Sequence, residues 1–435
     1  MNGSVMWQPE LEAMPRAELR RLQDERLREQ VAWAYERSWL FRQRLDEVGV
    51  RAAEVAGVDQ LTLVPVLEKE HLRAARNKTG DVFGGALCVP SSDMVLITHS
   101  TGTSGRPNFY GLTRQDLRHV GEAFARSSYA VGIRPGDHVT INASAHGAFV
   151  GWTEAFEQMG VVKCYLSGRQ PSTLANLLDL APDLDAITAL FVYDTETELR
   201  IVRERGVNVR EAFPNLRLLW SAVDASPARR RLLLEAFGVP LRNQYGSGDQ
   251  FWMTGECPVH QSWMHAPEDK WIFEVLDPAG QPVPSGGTGV LHVTNLFAKA
   301  CPYLRYDMED VVTYQSDPCE CGRTSMRMKV RGRLAWSVRT PGDYIFSTDV
   351  EHVLWNDPRA VGADYQLVRQ RRQPQEDLLV RVAVEPGAYP GLAADLSDAL
   401  SAELGLPVRV ELAGETGIER AATAAKRQRV IDEPA

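Results

Sequence analysis

Apolar residues recur along this chain with two periods, one helical and one strand-like. Over residues 16–47, Leu19, Leu22, Leu27, Val31, Ala34 and Tyr35 return mostly every three to five positions among many charges, which predicts helix. A second helical pattern covers 113–130. From residue 93 onward, short apolar runs alternate with helical patterns: MVLIT at 94–98, HVTIN at 138–142, AITALFVY at 186–193 and LRLLWSAV at 216–223. Such runs predict buried, largely parallel strands with crossover helices. WIFEVLD and VLHVTNLF, separated by PAGQPVPSGGTG within 271–297, read as two strands joined by a turn-rich loop. Past residue 332 the pattern changes to short strands (DLLVRVAVE, PVRVELA) and helices (STDVEHVLWN, LAADLSDALSAELG), as in a small α+β domain. The chain is thus expected to divide into a large α/β body, 1–331, and a small C-terminal domain, 332–435, with Arg331-Gly332-Arg333 as the joint.

Composition narrows the function classes. A chain of 435 residues is long enough for two or three domains, and 44% hydrophobic with 24% charged residues excludes a disordered chain. A net charge of −9 lacks the basic footprint of a nucleic-acid binder. The cluster Arg229-Arg230-Arg231 lies within a helical pattern and reads as a solvated helix face. No apolar run reaches the roughly 18 residues of a membrane span. The start, MNGSVMWQPELEAMPRAELRR, lacks a basic region followed by an apolar run, so no secretory signal is expected. Six cysteines do not make a disulfide framework, and the expected compartment is the reducing cytoplasm.

Four segments carry candidate chemistry. Ser100-Thr101-Gly102-Thr103-Ser104-Gly105-Arg106 follows an apolar run; its backbone amides and hydroxyls can turn toward an anion, and Arg106 adds charge for phosphate oxygens. The spacing is not that of a Walker A loop. In Asn243-Gln244-Tyr245-Gly246-Ser247-Gly248-Asp249, Tyr245 can stack on a planar ring and Asp249 is an acid on a glycine-flexible loop. In the segment Tyr303–Asp310, the carboxylate of Asp310 can accept from two vicinal hydroxyls. Lys426 lies in a basic stretch near the C-terminus. Alone, each also fits a plain turn or a solvated surface.

Together, in order and rough spacing, they resemble the adenylate-forming ligases, specifically the phenylacetate–CoA ligase branch. The resemblance begins with MWQPELEAMPRAELRRLQDERLREQVAWAYERSWLFRQRLDEVGV and continues through THSTGTSGRPNFYGLT, NQYGSGDQ, CPYLRYDMEDVV and CGRTSMRMKVRGR. It ends at AAKRQRVID, which is similar to that branch's terminal lysine motif. It implies an acyl-adenylate ligase fold, a multi-sheet α/β body with a small mobile α+β lid. It also implies a two-step reaction: a carboxylate attacks the α-phosphate of ATP, and the CoA thiol then displaces AMP. Such displacement depends on positioning and charge neutralisation, and a mobile lid keeps water from the adenylate. By the resemblance, Ser100, Thr101, Gly102, Thr103, Ser104, Gly105 and Arg106 would cradle phosphates, and Tyr245 with Gly246 would lie against adenine. Asp249 would help hold magnesium, Asp310 would bind the ribose, and Arg333 would contact the nucleotide. Lys426 would bridge carboxylate and α-phosphate. His146, Phe149, Trp152 and Gln244 would line a pocket suited to an aromatic acid.

Several positions depart from the family pattern. Arg106 stands where lysine is usual, Asp249 where glutamate is usual, and Ala335 where the family has an Asp or Lys hinge. VRTPGDYIFSTDVE lacks the usual Arg-Gly pair near Arg339, in the segment that normally lines the thioester step. A further group, Cys257, Cys319 and Cys321 with a histidine, offers ligands that favour tetrahedral structural zinc. His265 is preferred to His260, because His265-Ala266-Pro267-Glu268-Asp269 resembles the family's H-x-x-E-D. The expectation is therefore an ATP- and magnesium-dependent aromatic acid–CoA ligase, for which a homodimer is compatible. One alternative passes the acyl group to a carrier-protein thiol or an amine; another is a non-catalytic nucleotide-binding descendant.

Overall fold

The computed structural model describes residues 5–99, 107–141, 147–166, 172–180, 184–223, 225–341, 343–370, 374–418 and 429–432. The pattern over 16–47 forms two helices, Arg16–Arg37 and Trp39–Glu47. Ser38 between them is extended, and its hydroxyl accepts the Phe41 amide, so the residue that ends one helix caps the next. Leu19, Leu27, Val31 and Ala34 of the first helix are buried. So are Gln23 and Gln30, whose amides donate to the carbonyls of Glu268 and Ala298 and thereby avoid the cost of burying an unpaired polar group.

The helix Arg114–Ala130 starts from a reciprocal cap, in which Thr113 and Asp116 each accept the other's amide. Asp116, fully buried, also accepts the amides of Lys299 and Ala300, which ties this helix to the segment leading into the strand Tyr306–Gln315. Replacing Asp116 with alanine orphans three amides together. It should destabilise the fold by about 3 kcal/mol, read as a lower urea midpoint, with Asp116→Asn costing less.

The chain forms two compact units. The first comprises Met1–Tyr193, Glu211–Val223 and Arg242–Val330; the second comprises Asp194–Arg210, Asp224–Leu241 and Arg331–Ala435. A six-stranded sheet runs in the order Val162–Tyr165, His138–Ile141, Ala189–Phe191, Leu218–Ser221, Leu241–Ser247, Trp252–Gly255. Its first four strands are parallel; those at 138–141, 189–191 and 218–221 fall in the predicted runs, whereas Val162–Tyr165 does not, and the last two strands are antiparallel. A five-stranded sheet has the order Trp271–Leu276, Thr288–Asn295, Tyr306–Gln315, Arg327–Arg333, Met264–His265. Its first two strands are the predicted pair, in register from Trp271–Asn295 to Leu276–Val290. The run at 94–98 differs from expectation. Met94–His99 pairs antiparallel with Phe109–Thr113 in a two-stranded sheet, and Val95 and Ile97 are 44% and 55% exposed. With one partner and one covered face, it is not a buried parallel strand.

In the second unit, a sheet of order Val408–Leu412, Leu378–Val382, Tyr365–Arg369, Val430–Asp432 is antiparallel at its centre and parallel at both outer pairs. Val350, Leu354, Leu367, Val380 and Leu396 form its core with the helices Ser347–Leu354 and Leu392–Leu404. The helices Thr195–Arg205 and Pro227–Phe237 belong to this unit too. The triple arginine therefore does not form a solvated face. Arg229 and Arg230 are buried, and only Arg231 is exposed. Arg229 pairs with Glu351 through two nitrogens and reaches Glu196 at 2.7 Å. Arg429 binds Glu196 and Asp364 at 2.7 Å each and lies over the Tyr365 ring. Ser226 and Tyr365 donate their hydroxyls to Glu351.

Candidate functional site

Tyr245 and Gly246 occupy the strand Leu241–Ser247, opposite Thr254 and Met253. A Cβ on Gly246 would lie 2.1 Å from the Trp252 carbonyl oxygen, so this register demands glycine. The Tyr245 ring meets Trp252 edge-on at 5.0 Å, and its hydroxyl donates to Asp310 at 2.7 Å. Asp249 sits partly exposed in the turn after this strand, where its amide donates to the Ser247 hydroxyl at 3.0 Å. Its carboxylate accepts the Tyr306 hydroxyl at 3.0 Å. Burial pushes the Tyr306 phenol well above its ordinary range, and the Asp249 charge adds to this, so it remains a donor.

Tyr306 and Asp310 share one strand, which carries an irregularity between them. Across from it, Val290 pairs with Val311 and His292 with Asp307, so the strand bulges between those partners. Within the bulge Glu309 adopts φ 58°, a left-handed conformation uncommon for a side-chain-bearing residue. Nothing in the motif singles out Tyr306; the available signal is its position four residues before Asp310 on a strand-like run. The aromatic ring of Tyr245 and the carboxylates of Asp249 and Asp310 thus come together from separate elements of the first unit.

Trp152, Phe149 and Gln244 are also brought together. The Trp152 indole donates to the Gln244 side-chain oxygen at 2.9 Å, and the Gln244 amide donates to the Ser127 hydroxyl at 2.8 Å. Trp152 is buried against Phe191 and Trp220 at 5.5 and 5.0 Å, while Phe149 is only half-buried at the margin. No motif singles out Ser127, Phe191 or Trp220, because core aromatics and a helical serine carry no signature of their own. Arg333 ends its strand in the second unit and is half-buried. Ser100, Thr101, Gly102, Thr103, Ser104, Gly105, Arg106, His146 and Lys426 lie outside the described residues.

The donor atoms of Cys257, His265, Cys319 and Cys321 all lie within 4.8 Å of one another, and all four residues are buried. His260 is outside the group. A tight turn, in which the Gly322 amide donates to the Cys319 carbonyl, sets Cys319 and Cys321 on one side. Cys257 and Cys319 sulfurs are 3.7 Å apart, close to the roughly 3.8 Å edge of a tetrahedron with Zn–S near 2.3 Å. His265 Nε2 is 3.3 Å from the Cys321 sulfur. Its Nδ1 lies 3.3 Å from the Ser325 carbonyl, an arrangement that favours the tautomer with Nε2 as the lone-pair nitrogen. Arg323 and Arg327 each point a guanidinium nitrogen at a cysteine sulfur, at 3.6 Å. The hydrogen bond from Cys257 pulls the Cys321 thiol well below its ordinary range, with His265 lowering it further.

Comparison with known proteins bears on the family. A family model described as the AMP-binding enzyme C-terminal domain matches residues 342–434. The phenylacetate-coenzyme A ligase of Thermus thermophilus is 34% identical over 392 residues, covering 87% of this chain and 84% of the relative. That of Escherichia coli K12 is 27% identical over 377 residues, covering 85% and 83%. A solved 2-hydroxyisobutyryl-CoA ligase in the postadenylation state, in complex with R3-HIB-AMP, shares the fold with a TM-score of 0.85 at 24% identity, covering 99% of this chain and 93% of that one. In its thioesterification state, with 2-HIB-AMP and CoA, the same ligase aligns with a TM-score of 0.71 at 26% identity, covering 100% and 93%. The chain therefore belongs to the phenylacetate–CoA ligase branch of the adenylate-forming enzymes, the AMP-forming acid–CoA ligases.

Proposed function

We propose that this chain activates an aromatic carboxylic acid with ATP to an acyl-adenylate and transfers the acyl group to the CoA thiol. Support comes above all from the convergence of Tyr245, Asp249 and Asp310, which sets one aromatic ring beside two carboxylates. Asp310 accepts from the ribose hydroxyls, and Tyr245 lies against adenine. The loop Ser100–Arg106 holds the phosphates. Lys426, on the lid 332–435, neutralises charge between the attacking carboxylate and the α-phosphate. Magnesium, when bound, neutralises phosphate charge; Asp249 offers the kind of hard oxygen that this ion takes alongside phosphate oxygens. Relatives named for phenylacetate favour an aromatic acid, and half-buried Phe149 offers an aromatic wall. A second reading, transfer to a carrier-protein thiol or an amine, is favoured by the departures at Ala335 and around Arg339. Among the described residues no helix is long and apolar enough to cross a membrane. With six free cysteines, the reducing cytoplasm is the compartment proposed.

Pyrophosphate exchange across a panel of acids, with CoA, a carrier protein or an amine added in turn, tests this. Acid-dependent exchange with acyl-CoA as product is expected, with aryl or arylacetic acids preferred. Normal exchange without acyl-CoA would move the assignment to the second reading.

We also propose that Cys257, His265, Cys319 and Cys321 hold a structural zinc ion. Four protein ligands leave no open position for chemistry, and zinc, when bound, contributes to folding. Elemental analysis of the purified protein should find about one zinc per chain. Cys319→Ser should lose most of it and melt at a lower temperature; a metal-free wild-type protein would refute the assignment.

A further inference from the structure

The two acids of the nucleotide site are held by a crossed pair of tyrosines. Tyr245, on one strand, donates to Asp310 on another, and Tyr306, on that second strand, donates back to Asp249 in the turn after the first. From this reciprocity we infer that Tyr306 is a positioning residue: it fixes the orientation of the Asp249 carboxylate toward the divalent cation that accompanies ATP. The inference rests on the proposed role of Asp249.

Three observations carry it. Tyr306 is fully buried and stacked on Tyr303 at 5.4 Å and 27°, so its ring has no room to swing. Its hydroxyl lies 3.0 Å from one named oxygen of Asp249, Oδ2. The Ser247 hydroxyl, which accepts the amides of Asp249 and Gln250, fixes the backbone of the same turn. Backbone and carboxylate are thus restrained separately, the latter by a group outside the turn. A carboxylate preset in this way binds a metal without first giving up rotational freedom.

Tyr306→Phe keeps the stacked ring and removes the donor. The readout is the concentration of magnesium giving half-maximal pyrophosphate exchange. Alongside it, the affinity for manganese is measured by calorimetry in the presence of a non-hydrolysable ATP analogue, which requires no turnover. Tyr306→Phe should weaken both by about tenfold, leaving the KM for the acid and the melting temperature nearly unchanged. Tyr303→Phe, which deletes the hydroxyl of the stacked neighbouring ring, should leave both unchanged. Tyr306→Met serves as the second deletion of the hydroxyl if the phenylalanine variant does not fold. Asp249→Asn is the reference. If it weakens metal binding and Tyr306→Phe does not, the positioning role is overturned while the role of Asp249 stands. If Asp249→Asn changes neither readout, the role of Asp249 falls and the inference falls with it.

Discussion

Replacing Lys426 with alanine should lower acid-dependent pyrophosphate exchange by about 10²–10³-fold, the loss typical when one preorganised charge is removed from a developing oxyanion. Binding of ATP should survive, because adenine, ribose and the outer phosphates are assigned to Tyr245, Asp310 and the loop Ser100–Arg106. The two half-reactions offer an internal control. When acyl-adenylate is supplied ready-made, its conversion to acyl-CoA should run within a few-fold of the wild-type rate, since no carboxylate then has to approach the α-phosphate. Exchange at the wild-type rate would remove the assigned role. Three residues after Lys426 in sequence, Arg429 is buried and paired with both Glu196 and Asp364.

The second large effect concerns stability. Glu351 is fully buried and accepts from Arg229, Ser226 and Tyr365. Glu351→Ala leaves Arg229 buried and short of its main counter-charge. This should cost the second unit about 3–5 kcal/mol, the usual penalty for breaking a buried pair from one side. Urea unfolding followed by circular dichroism reads the loss, since ten tryptophans share the intrinsic fluorescence. Removing both partners in Glu351→Leu/Arg229→Met should recover much of the loss, because no charge is then stranded. A loss under about 1 kcal/mol in the single variant would mean that water reaches the network and screens it.

Much of the architecture is legible in the sequence, for identifiable reasons. The parallel strands at 138–141, 189–191 and 218–221 are flanked by helical patterns, and continuous apolar runs suit strands covered on both faces. The run at 94–98 has the same composition but one partner strand, and residue types alone do not report how many neighbours a strand will have. The triple arginine misleads for a related reason. A helix face is solvated or buried according to what lies opposite, and Glu351 stands more than a hundred residues downstream. Asp249, Asp310 and the cysteine–histidine group are found from motif and ligand chemistry. Tyr306 is not, because a tyrosine that acts through its neighbour has no signature until the fold sets it beside Asp249.

The helices Thr195–Arg205 and Pro227–Phe237 come from mid-chain yet belong to the same unit as Arg331–Ala435. No single scission therefore excises that unit intact. A fragment ending at residue 331 retains both helices while shedding Glu351, Asp364 and Arg429, and the complementary fragment forfeits Arg229 and Glu196. Exchange of this unit between relatives is accordingly a three-segment graft, with Glu196 and Arg229 travelling alongside the C-terminal hundred residues.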